Sequence, residues 1–181
     1  MMIQFVANCI GKYKRNFTKQ EGSTGTFSVF NEQASFTKRY NCSHKVLKVI
    51  VTISANGKSK QVVSIIDTGC TNTSIPHSVI EFLALIPSGH QKMSAVNKSY
   101  VCNFYICSMI IEGQIQIDNA VLMELPQLES ESETETPTAN EEMILGMDIL
   151  SKCDFAITNQ NGNTEFSMAY PSKRNIDFTK E

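Results

Sequence analysis

The sequence has 181 residues, six cysteines, no tryptophan, 41% apolar residues and a formal net charge of −2. That length suits one domain with an arm or tail, and the apolar share suffices for a core. No apolar run approaches the ~18 residues of a membrane span. Residues 1–10 have neither a basic lead nor a small-residue cleavage site, so no secretory signal is expected and the cytoplasm is the implied compartment. The small net charge conceals a division. Residues 124–142 hold seven acids and no base, whereas residues 1–45 hold seven bases against Glu21 and Glu32.

In chain order, residues 1–45 show weak periodicity and are expected to form a basic N-terminal arm or appended element. Tyr13, Phe17 and Tyr40 are too sparse for the aromatic interleaving of a nucleic-acid surface, so a solvated arm is expected, with no nucleic-acid or membrane partner. Regular structure begins at Val46. Leu47, Val49, Val51 and Ile53 alternate with more polar positions, the period of a half-buried strand. Asn56-Gly57 then predicts a tight hairpin turn, and the return strand over residues 61–66 runs into Asp67-Thr68-Gly69.

A short helix is expected over residues 78–85 behind Pro76, then two strands within residues 92–108 around a tip near Asn97. Another alternating stretch covers residues 114–125. Residues 126–142 are acidic, low in complexity and contain Pro137, the composition of a disordered insert. Order resumes at Met143, with a short helix over residues 147–153 and two closing strands, 154–158 and 164–170, before a tail at 173–181. The total is a mainly β domain with one or two short helices, spanning residues 46–172.

The cysteines, at 9, 42, 70, 102, 107 and 153, include no C-x-x-C pair and no zinc spacing, so reduced thiols and no metal are expected. His44, His77 and His90 are scattered and form no nucleophile–base set.

The chemistry concentrates at residues 62–69, Val-Val-Ser-Ile-Ile-Asp-Thr-Gly. A carboxylate directly after an apolar strand is costly unless hydrogen bonds compensate it. Thr supplies a hydroxyl and Gly a backbone open to close approach. By itself the tripeptide also fits an ordinary Asx-type turn. In context it resembles the retropepsin-like aspartic proteases, in a bacterial-type branch. Asp67-Thr68-Gly69-Cys70 is followed by Thr73-Ser74-Ile75, and Ile144-Leu145-Gly146-Met147-Asp148-Ile149-Leu150 is similar to the family's second glycine element.

The resemblance implies a closed β-barrel of the acid-protease fold carrying one half-site per chain. It also implies an aspartic endopeptidase in which two carboxylates share one proton around a water. The chain has one Asp-Thr-Gly, so the dyad would be Asp67 with Asp67 of a second copy, making the chain its own partner and a peptide or protein its substrate, with no cofactor. The resemblance further implies catalysis by Asp67, with Thr68, Gly69 and Cys70 completing the loop. Thr73, Gly146 and Asp148 would support it, and Ser94, Ala95, Val96 and Asn97 would form a substrate-covering flap. Many viral members pair an acid after the motif with an Arg in the second element; here those positions are Thr71, Asn72 and Met147. The alternative is a binding or scaffold module with this fold and weak or no turnover.

Overall fold

The computed structural model describes residues 33–41, 46–95, 98–125, 142–175 and 179. The acidic insert at 126–141, the tip at Val96 and Asn97, and the arm up to residue 32 lie outside the described residues. Among the described residues no helix is long and apolar enough to cross a membrane.

Six strands close a barrel. β2 (Lys48–Ala55) and β3 (Lys58–Ile66) form the predicted hairpin, Ala55 facing Lys58 across Asn56-Gly57. Asn56 and Gly57 take φ of 52° and 73°, the left-handed pair this two-residue turn requires. β4 (Ser74–Ile75), β6 (Lys98–Ile111), β7 (Ile115–Glu124) and β8 (Met143–Leu145) complete the ring in the order β2-β3-β8-β4-β7-β6. It closes where Val51 pairs with Ile111 and Ile53 with Met109. Closure removes the sheet edges that an open antiparallel sheet would leave. β5 (Gly89–Ala95) lies outside the ring and pairs only with the first half of β6.

The alternation read from the sequence is the barrel's inside and outside. Val49, Val51 and Ile53 are fully buried and face Met109, Ile111, Leu145 and Leu122 within one core. Burying each such side chain contributes about 1.5–3 kcal/mol. One helix, α1 (His77–Leu83), buries Val79, Ile80 and Leu83, with Pro76 at its N-cap and Ala84 in a left-handed C-cap. The His77 Nδ1 lies 2.9 Å from Glu124 Oε1 at the end of β7. That bond raises the imidazole's pKa, with Glu81 adding to it.

A second, three-stranded sheet packs beside the barrel in the order β1-β10-β9. β9 (Asp154–Gln160) and β10 (Asn163–Tyr170) form a hairpin about Asn161-Gly162, and β1 (Ala34–Tyr40) pairs with β10 along its whole length. The last part of the stretch expected as an arm or appended element is therefore a strand of this sheet. Its signal is weak because its core-facing positions, Ala34, Phe36, Lys38 and Tyr40, include a lysine. Lys38 reaches Glu112 Oε1 at 2.6 Å, and that oxygen also accepts the Ile50 N–H at 2.7 Å, which ties the sheet to the barrel.

A carboxylate closes this sheet. Asp154 accepts hydrogen bonds from Gln33 Nε2 (2.8 Å), Ser172 Oγ (2.6 Å) and the N–H groups of Lys173 (2.9 Å) and Arg174 (3.1 Å). These donors, Ser172 first, lower its pKa from 3.8 to about 2. A depressed carboxylate contributes stability that is complete above its unfolded value and is lost as pH falls through its folded value. The melting-temperature difference between wild type and Asp154→Asn should therefore be constant above about pH 4 and vanish towards pH 2. A difference that grows on acidification would contradict the clasp.

Inside the barrel, the Ser64 hydroxyl is fully buried and has no hydrogen-bond partner among the described residues, facing Val49 and next to Met143 in the β8 register. An unpaired buried hydroxyl is a cost, so Ser64→Ala should leave stability unchanged or raise it by up to about 1 kcal/mol. Denaturant unfolding checks this, and a loss above about 1 kcal/mol would show that the hydroxyl has a partner such as a buried water.

Candidate active site

β3 carries Asp67 out of the barrel wall, and β8 beside it carries Gly146. Because these strands run parallel, with Ile66 opposite Leu145, both following loops leave the barrel at the same end. The Asp67 N–H donates to Leu145 O at 3.1 Å, so the acid begins where the parallel ladder ends. Its Oδ1 accepts the Gly69 N–H at 2.8 Å, and its carbonyl accepts the Cys70 N–H at 3.2 Å. The loop is thus a tight turn wound around one carboxylate, half-buried at Asp67 and exposed at Thr68 and Gly69. The Thr68 hydroxyl makes no hydrogen bond among the described residues.

Behind this loop the second glycine element locks in. The Met147 and Asp148 N–H groups donate to the carbonyls of Cys70 (2.8 Å) and Thr71 (3.1 Å). Gly146 fits so closely that a Cβ there would lie 2.7 Å from the Asn72 carbonyl carbon and 2.8 Å from its oxygen. Neither is a side chain that could swing away, so any other residue would push the two loops apart. α2 (Met147–Leu150) begins directly after it.

Thr73, fully buried, joins the two elements. Its hydroxyl donates to Asp148 Oδ1 at 2.6 Å and accepts the Gly146 N–H at 3.0 Å. The same Asp148 oxygen also accepts the N–H groups of Thr73 and Ile149, both at 2.9 Å. Three donors on one oxygen, from two segments, occupy this carboxylate in holding structure.

Of the expected site residues, the fold therefore brings Asp67, Thr68, Gly69, Cys70, Thr73, Gly146 and Asp148 together at one end of the barrel. Ser94 and Ala95 end β5, which pairs with β6 as a hairpin arm through Ser94–Ser99 and Ala95–Lys98, while Val96 and Asn97 lie outside the described residues. Cys70 Sγ donates to Asn72 O at 3.2 Å, within its own loop. No residue type foretold that the backbones of Thr71 and Asn72 would be the docking surface for Gly146. Their side chains are not what the contact uses, and the one available sign was the close approach that a glycine at 146 permits. Cys70, Cys102, Cys107 and Cys153 are free thiols, and burial pushes Cys153 up to about 12. Among the described residues no group of three or more His, Cys, Asp or Glu could hold a metal ion.

No protein-family model and no curated protein matches the chain. Solved structures similar to it include two proteases. A retropepsin-like aspartic protease from Rickettsia conorii is 9% identical, covering 80% of this chain and 98% of its own, with a TM-score of 0.46. The Simian Foamy Virus (mac) protease is 13% identical, covering 58% of this chain and 92% of its own, with a TM-score of 0.38. The mainly β, closed six-stranded barrel is the fold that the motifs implied, with Asp-Thr-Gly leaving β3 and the glycine element leaving β8.

The lock makes a direct prediction. Thr73→Val leaves the Gly146 N–H unpaired and strips a charge-assisted bond from Asp148, so it should cost about 2–4 kcal/mol. Thr73→Ser keeps both bonds and loses one methyl, a cost of roughly 1 kcal/mol. Urea unfolding of both variants checks the pair, and equal losses would mean that packing, not the hydroxyl, holds the loops.

Proposed function

We propose that the chain is one half of an aspartic endopeptidase, completed when a second copy presents its own Asp67. The observation that supports this most is the Asp67 loop itself. It holds a single carboxylate by its own Gly69 N–H at the exposed end of a barrel, with a dedicated lock behind it. Such an arrangement is rigid enough to place a carboxylate and open enough to receive another.

In the dimer, one carboxylate acts as general base on a water while its protonated neighbour donates to the scissile carbonyl oxygen. The water oxygen bonds to the carbonyl carbon, its proton passing to the base. Collapse of the resulting tetrahedral species breaks the C–N bond, and the departing nitrogen takes a proton from the dyad. Two carboxylates that close share one proton because both cannot remain ionised together, the behaviour for which aspartic proteases are known. Thr68, exposed beside the acid, would reach the partner's loop and hold the two in register. The arm formed by β5 and β6, including Ser94 and Ala95, would cover an extended peptide and exclude water.

A second reading, a binding module with little turnover, draws on one feature. Met147 stands where many viral members place a bracing arginine, so the Asp67 loop is held by backbone bonds and Thr73 instead. A peptide-library assay on wild type and Asp67→Asn separates the two readings. Endopeptidase activity should fall by a factor of about 10² to 10⁴ in the variant. Cleavage at the wild-type rate by Asp67→Asn would remove Asp67 from the chemistry, and no cleavage by a dimeric wild type would favour the binding module.

A further inference from the structure

Glu124, at the end of β7, lies where three parts of the fold meet. On β6, Phe104 is the residue shared by two pairings, with Gly89 of β5 on one side and Met123 of β7 on the other. Here the hairpin arm leaves the barrel. One face of this root is packed by the Phe104 ring, so close over Gly89 that a Cβ there would lie 2.4 Å from Cζ. The other face is held by a carboxylate. Glu124 Oε2 accepts Asn103 Nδ2 at 3.0 Å and the Tyr105 hydroxyl at 3.2 Å, from the two residues that flank Phe104. Its Oε1 meets His77 Nδ1, from the start of α1, at 2.9 Å. The linker between α1 and β5 closes on the same place, since the Ser88 N–H donates to Phe104 O at 2.8 Å.

The junction depends on one proton. His77 Nε2 stands 3.4 Å from Glu81 Oε1, one turn along α1, so each ring nitrogen faces a carboxylate oxygen. A neutral imidazole has one N–H and one lone pair, and it would turn the lone pair on one of the two acids. Only the imidazolium offers a proton to each. The hydrogen bond to Glu124 accordingly raises the His77 pKa, and Glu81 adds to it.

The other groups around this ring come from four strands. β6 contributes Tyr105 and Cys102, both held protonated by burial and by the charge of Glu124. β3 contributes Lys60, bonded to the Ser78 carbonyl at 3.3 Å, and β4, Ser74–Ile75, contributes no charge. β5 contributes His90, directly across from Asn103. Histidine is the side chain that ordinarily changes charge between pH 5 and 8, so His77 and His90 must be told apart.

We propose that His77 and Glu124 are positioning residues that anchor the root of the hairpin arm, and that the anchor slackens when His77 loses its proton. This rests on the reading of the arm as the cover of an extended peptide, and adds what holds that cover and at which pH. A raised histidine contributes stability that is complete below its unfolded value and is lost as pH rises through its folded value. The arm is therefore held fully below about pH 6.5 and progressively less above it. The His77 side chain is 44% exposed, so solvent screens the pair and the effect is a small multiple.

Hydrogen–deuterium exchange on the full chain reads the root directly. After correction for the intrinsic rise of exchange with pH, protection of residues 88–92 and 101–105 should fall about two- to fivefold across that interval. In His77→Gln, whose amide donates at every pH, the fall should disappear, and in His90→Gln it should remain. In Glu124→Gln its midpoint should move down towards the ordinary imidazole value of about 6.5. A fall that persists in His77→Gln or vanishes in His90→Gln overturns the proposal, as does protection in wild type that ignores pH. Peptide kinetics test the cover separately. The wild-type to His77→Gln ratio of KM should rise about two- to fivefold over the same interval. The kcat ratio should stay constant, because titration of the catalytic acids is common to both proteins. A flat KM ratio with changing protection, or a wild type that cleaves nothing, overturns the arm as a substrate cover and leaves the anchor standing.

Discussion

The Thr73 hydroxyl is the small group on which the arrangement turns. It gives its one proton to Asp148 and takes one from the Gly146 backbone, joining segments 73 and 75 residues apart in the chain. Around it, Gly146 presses on the Asn72 carbonyl with no room for a Cβ, and Met147 and Asp148 hold the carbonyls of Cys70 and Thr71. None of these contacts touches the Asp67 carboxylate. They fix the backbone from which it projects. The parallel pairing of β3 with β8 makes this possible, because it sends both loops out of the same end of the barrel.

Two acids of very different standing sit in this region, and hydrogen bonds explain the difference. Asp148 spends one oxygen on three donors and is tied into the fold. Asp67 accepts one loop N–H and faces the open end of the barrel. Asp154, in the second sheet, resembles Asp148 in kind: four donors surround it, and it binds Gln33 to residues 172–174. A carboxylate with its acceptor sites filled is a fastener, and one with them open is available for chemistry.

Much of this was legible in the residues because the signals were local. Asn56-Gly57 could make a tight turn only with two left-handed residues, and the alternation from Leu47 to Ile53 could bury only one face. Asp-Thr-Gly and the second glycine element stood out as motifs of chemistry and close approach. What escaped was non-local. β1 hides because Lys38 occupies a core-facing position and finds Glu112 only in the folded state. β4 is two residues long and is held by strands far from it in sequence, pairing with Met123, Glu124 and Ile144. The docking of Gly146 uses the backbone of Asn72, which any residue type would supply.

The pairing of β1 with β10 also bears on when this protein can become itself. Thr37 and Ser167 hydrogen-bond across 130 residues, and the Thr73 lock waits on residue 148. Contacts so distant in the chain form late, after the entropy of closing long loops has been met. A chain emerging from the ribosome can make the β2–β3 hairpin early, with Asp67 at its end, but it cannot fasten that loop until most of the sequence has appeared. It cannot zip its first described strand into the sheet until nearly all of it has. The locked Asp67 loop therefore forms only once residue 148 has appeared, and a shorter nascent chain carries the acid without the frame that aims it.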